Sequence, residues 1–81
     1  MRMATFAVHC PDRLRSAGEE VLRDLVWAHI RQQDRVEHVR VRAGPEHISV
    51  ALFVLTKNQL DADEVARAVG HRIRALPAFY R

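Results

Sequence analysis

The stretch Val36-Glu37-His38-Val39-Arg40-Val41-Arg42-Ala43-Gly44-Pro45-Glu46-His47-Ile48-Ser49-Val50-Ala51-Leu52-Phe53-Val54-Leu55 decides the fold. From Val36 to Arg42 the residues alternate, with Val39 and Val41 on one side and His38, Arg40 and Arg42 on the other. His47 to Leu55 alternates again, with Ile48, Val50, Leu52 and Val54 sharing a face. Successive side chains of a strand point to opposite faces, so both runs read as half-buried strands. Ala43-Gly44-Pro45-Glu46 between them has turn chemistry. A four-residue loop there pairs Arg42 with His47, Val41 with Ile48 and Val39 with Val50. That register puts every aliphatic residue of the hairpin on one side.

The flanks complete the pattern. Thr5 to Cys10 alternates, with Phe6, Val8 and Cys10 on one face, and Pro11 ends the run because proline cannot donate to a ladder. A helix is expected from Asp12 or from the capping-box pattern Ser16-x-x-Glu19. Leu14, Ala17, Val21, Leu22, Leu25 and Ala28 form its apolar face, and Gly18 on that side allows a close approach to the sheet. The helix frays near Gln32-Gln33-Asp34. A second helix starts at the capping box Asp61-x-x-Glu64, with Leu60 and Val65 as its hydrophobic staple. Val65, Val69, Ile73 and Leu76 form its stripe, flanked by Ala62 and Ala66, and Pro77 stops it. Ala78-Phe79-Tyr80-Arg81 starts a further strand that ends at once.

The order is β-α-β-β-α. The expected fold is therefore α+β: one domain over 1–81, a two-layer ferredoxin-like sandwich with two helices on one face of an antiparallel sheet. Its last strand is missing or very short. The other sheet face is left bare.

Composition bounds the function. The 48% apolar and 28% charged residues are ordinary globular values, which argues against disorder. Eighty-one residues sit near the size at which one core suffices, so self-association would add burial that the monomer lacks. A single cysteine excludes an internal disulfide and points to a reducing compartment. Met1 to Phe6 leads to no long apolar run, and Val50 to Leu55 is too short to cross a bilayer. A cytoplasmic protein without membrane association is expected. The net charge of +3 falls in the second part of the chain, where residues 35–81 carry eight Arg/Lys against five acids. Twelve of the thirteen cations are arginine, a bias that GC-rich coding alone produces.

No catalytic constellation stands out. The histidines lack zinc-motif spacing, and His9 and Cys10 are adjacent on a strand and so point to opposite faces. Cys10 shares parity with Phe6 and Val8, which makes it a buried hydrophobe rather than a nucleophile. Asp12, Glu19, Glu20, Asp61, Asp63 and Glu64 cluster at helix starts, where the helix dipole accounts for them. No catalytic residue, metal or cofactor is assigned.

The bare face remains. It presents Thr5, Ala7 and His9, then His38, Arg40 and Arg42, then Ser49, Ala51, Phe53 and Leu55. The first reading is a homodimer in which Ala51, Phe53 and Leu55 meet a second subunit, with the basic residues as a polar rim. The second is RNA or single-strand binding, with Phe53 as a stacking platform and Arg40 and Arg42 on phosphates. Trp27, opposite the first helix's apolar face, joins the candidate interface; its alternative use is packing beneath Phe79 and Tyr80.

Val8-x-Cys10-Pro11-Asp12-Arg13 resembles the opening of an ACT domain, a βαββαβ amino-acid-sensing module, although Leu14-Arg15-Ser16 replaces the Pro-Gly of that family. The resemblance implies small-ligand sensing. Val36 to Leu76 is similar in pattern to the cytoplasmic domain of cation-diffusion transporters. The leading expectation is a non-catalytic binding, regulatory or accessory protein.

Overall fold

A computed structural model describes residues 1–79; Tyr80 and Arg81, and with them the end of the expected further strand, lie outside the described residues. Three strands form one sheet: β1 (Arg2–His9), β2 (Val36–Ala43) and β3 (His47–Val54), in the order β1-β3-β2. Both outer strands run antiparallel to β3. The helices are α1 (Asp12–Arg15), α2 (Glu19–Ala28) and α3 (Gln59–Arg74), with short 3-10 turns at Gln32–Asp34 and Pro77–Phe79. Ala78 and Phe79 thus continue the chain as a turn rather than as the start of a strand. α3 packs mainly over β1, and α2 over β2. The architecture is α+β, with helices packed against a three-stranded antiparallel sheet.

Strand alternation sets the layers. Ala4 and Val8 of β1, Val39 and Val41 of β2, and Ile48, Val50, Leu52 and Val54 of β3 are all buried. From the helices come Leu22, Val26, Ala62, Ala66, Val69 and Ile73. Small residues let α3 lie close to the sheet: Gly70 sits so near Phe6 that a Cβ there would come within 3.1 Å of the ring. Gly70, rather than Gly18, is the glycine of close approach.

The hairpin forms as expected, but its register differs. Val41 pairs with Val50, Val39 with Leu52 and Arg42 with Ser49, two positions from the expected partners. The turn explains this: Gly44 N–H donates to His47 O at 2.8 Å, so Gly44 and His47 close the loop and Ala43 lies in the ladder opposite Ile48. A shift of two preserves side-chain parity, so every face assignment survives. β1 is also longer at its start than the alternation from Thr5 suggests.

Both helix starts need correction. The first helix is two pieces, because Gly18 adopts φ 98° and ψ 158°, a conformation essentially confined to glycine. Ser16 closes α1, and its hydroxyl donates to Arg13 O at 3.1 Å, so there is no Ser16–Glu19 capping box. The break rephases the second piece: Leu22 and Val26 face the core, whereas Ala17, Val21 and Ala28 are exposed. α3 starts earlier than expected. Asn58 caps it, its side chain accepting Leu60 N–H at 2.8 Å, and Asp61 lies inside the first turn. Leu60 is 70% exposed and therefore staples nothing.

Candidate binding face

The observed register aligns the bare face into rows across β1, β3 and β2. Met3, Phe53 and His38 form the first; Thr5, Ala51 and Arg40 the second; Ala7, Ser49 and Arg42 the third. His9 and His47 close the far end as direct partners, their rings edge-to-face at 5.7 Å. The floor is thus small residues, with one apolar end, one imidazole end and one cationic side. His38 tilts against Phe53 with ring centroids 5.4 Å apart.

The candidate residues divide between this face and the helix layer. Ala51 and Phe53 are half-buried on the face, and Leu55, just past the end of β3, is exposed. Arg40 and Arg42 are exposed on the same face, and among the described residues no carboxylate pairs with either. Trp27 is not part of this group. It projects from α2, on the opposite layer, and is 37% exposed. Phe79 joins the core, and Tyr80 lies outside the described residues.

Two features of the face are not evident from the sequence reading. Met3 is exposed and pairs with Phe53, extending the apolar end. Its signal is present in the chain, since Met3 continues the parity of Thr5, Ala7 and His9. The His9–His47 contact depends on β1 lying beside β3, which alternation alone does not give. Among the described residues, no group of three or more His, Cys, Asp or Glu is arranged to hold a metal ion. None of the helices among these residues is long and apolar enough to cross a membrane.

The shifted titrating groups lie away from this face. Burial pushes the Cys10 thiol up, only partly offset by the positive charge of Arg15, so it stays a protonated, buried side chain. Asp34 is the one buried charged residue among those described, 7% exposed. Burial raises its carboxyl, but hydrogen bonds from Arg72 and from Arg31 N–H, with the charges of both arginines, outweigh that and hold it below the ordinary value. The Asp34 bond correspondingly raises Arg72, against the opposing effect of burial. Arg72 Nη1 donates to Asp34 Oδ2 at 2.8 Å and to His29 O at 2.9 Å, and Nη2 donates to Oδ1 at 3.2 Å. Such a saturated, ionised carboxylate is a clasp between α3 and the turn before β2, not a proton donor.

Comparison with protein-family models, curated proteins and solved structures gives no match.

Proposed function

We propose that the chain is a small, non-catalytic cytoplasmic binding protein, an accessory or regulatory component that forms a homodimer through its bare sheet face. The fold is read as a ferredoxin-like βαββα arrangement without its last strand. The sheet order β1-β3-β2 and the antiparallel pairing of β3 with both neighbours support that reading.

One observation carries the proposal: Phe53, flanked by Met3 and near Leu55, sits on the sheet side that no helix covers. Covering that apolar end would add burial to a core of limited size. The cations select the geometry. A two-fold axis across the strands would set β2 on the partner's β2 and arginine against arginine. An axis parallel to the strands sets each β2 over the partner's β1, and that is the arrangement proposed.

The test is light scattering across a concentration series. A dimer is expected at tens of micromolar, and Phe53→Glu is expected to convert it to a monomer with unchanged secondary structure. A wild-type monomer at high micromolar concentration, unaffected by Phe53→Glu, would overturn the proposal.

A second reading is favoured by Arg40 and Arg42 standing beside Phe53 without a carboxylate partner among the described residues. It is single-stranded nucleic-acid binding, with phosphates on the arginines and a base on Phe53. A mixed oligonucleotide would then bind at low salt and be released steeply as salt rises. No binding at low salt ends it.

A further inference from the structure

The two edges of the sheet are finished differently. Along β1, side chains of α3 take two of the outward carbonyls, those of Met3 and Ala7 but, among the described residues, not that of Thr5: Gln59 Nε2 donates to Met3 O at 3.0 Å, and Arg74 Nη2 to Ala7 O at 2.9 Å. Along β2, one bond of this kind is made among the described residues, Ala43 N–H to Glu19 Oε2 at 2.8 Å. Gly44 N–H bonds inward to His47, which fixes the parity of the strand. Arg40 and Arg42 therefore direct their peptide groups to β3, and Val39 and Val41 direct theirs outward. Among the described residues nothing pairs with those outward groups.

An open edge is a template for another strand. A second copy of this edge is a poor occupant. In an antiparallel pairing of β2 with β2 centred on residue 40 or 41, cation meets cation, with Arg40 facing Arg40 or Arg42 of the other copy; centred on residue 39, Arg40 faces the His38 imidazole. Like charges directly opposed on a sheet destabilise it. The same charges favour an acidic strand.

The other side of the edge has different chemistry. A cavity of about 660 Å³ runs from the bare face, where Thr5, Ala51 and Phe53 line it, across Arg40 and Arg42 and round the β2 edge to Glu19, Glu20 and Arg23 of α2. Glu19 and Glu20 repel acids there. Trp27 continues the Glu20–Arg23 stripe along α2. From Glu19 to Trp27 the helix advances about 12 Å, which corresponds to about four strand residues back from Ala43. By these rises Trp27 comes about level with Val39, beyond the residues that line the cavity.

We propose that the free edge of β2 accepts an extended peptide strand of a partner protein, acidic at alternate positions and apolar between them. Backbone bonds to Val39 and Val41 supply the ladder, Arg40 and Arg42 pair with the acidic side chains, and the intervening side chains lie towards α2. Arg40 and Arg42 also rim the bare face, so the edge site shares those side chains with the proposed dimer contact, and it is the backbone of Val39 and Val41 that distinguishes the two.

The probe is a fluorescent eight-residue peptide of alternating glutamate and valine, compared with the same peptide N-methylated at every backbone nitrogen. Anisotropy measures affinity, and amide shifts locate the contact. The plain peptide is expected to bind with shifts at Val39 and Val41, and N-methylation to weaken it by roughly tenfold or more, equivalent to about 1.4 kcal/mol. Arg40→Glu with Arg42→Glu is expected to abolish this binding and to favour the lysine–valine peptide instead. Equal binding of the N-methylated peptide, shifts confined to Thr5 and Ala7, or indifference to the double charge reversal would overturn the proposal.

Discussion

Replacing Asp34 with alanine removes the acceptor of three hydrogen bonds at once. Arg72 loses its two-pronged partner, and Arg31 N–H loses its bond to Oδ2 at 2.7 Å. Breaking a buried ion pair costs about 3–5 kcal/mol when the surviving charge is stranded. Here the Arg72 side chain is 21% exposed and keeps its bond to His29 O, so part of its charge is rehydrated. The expected loss is therefore about 2–3 kcal/mol, below that range but above the ~0–1 kcal/mol of an exposed pair. Urea unfolding followed by circular dichroism reads it directly. With a slope of about 1 kcal/mol/M for so short a chain, the midpoint should fall by about 2–3 M. The pH dependence supplies a second check. The native Asp34 carboxyl lies below its ordinary value of 3.8, so its contribution is fully present above pH 3.8 and is lost as pH falls through the native value. The gap between wild type and Asp34→Ala should therefore be full at pH 7 and much reduced at pH 2. A gap under about 0.5 kcal/mol at pH 7, or one unchanged at pH 2, would refute the clasp.

Two more outcomes rest on local geometry. Gly18→Ala should cost about 1–3 kcal/mol through backbone strain alone, because a Cβ at Gly18 meets nothing within 4 Å; thermal unfolding measures it, and a neutral change would contradict the assigned conformation. Cys10 should react with a thiol reagent at pH 8 only as fast as the fold opens, and at the free-thiol rate in denaturant, since burial both covers it and raises its pKa.

The sequence is most legible where parity decides. Alternation assigns Val39, Val41, Ile48 and Val50 to the core face, and Arg40, Arg42 and Phe53 to the other, and a register difference of two leaves all seven in place. Helix starts are less legible because the chain offers competing caps. Asn58 and Asp61 both carry the needed acceptor, and only the Leu60 N–H bond distinguishes them. Glu19 resembles a capping-box residue, yet its carboxylate reaches Ala43, 24 positions away. The Asp34–Arg72 clasp is hidden for the same reason: 38 residues separate its halves, and Gln32-Gln33-Asp34 has the composition of an ordinary loop. Of the candidate binding residues, those on strands are grouped by alternation alone. Trp27, on a helix, is 37% exposed and belongs to a different surface.

A dilution series read by amide chemical shifts, from millimolar to low micromolar, tests directly whether the bare sheet is where two copies meet. Concentration-dependent shifts are expected at Met3, Thr5, Ala51 and Phe53, with the outer surfaces of α2 and α3 unchanged. Shifts on those helices with the strand residues constant, or no shifts at all, would contradict it.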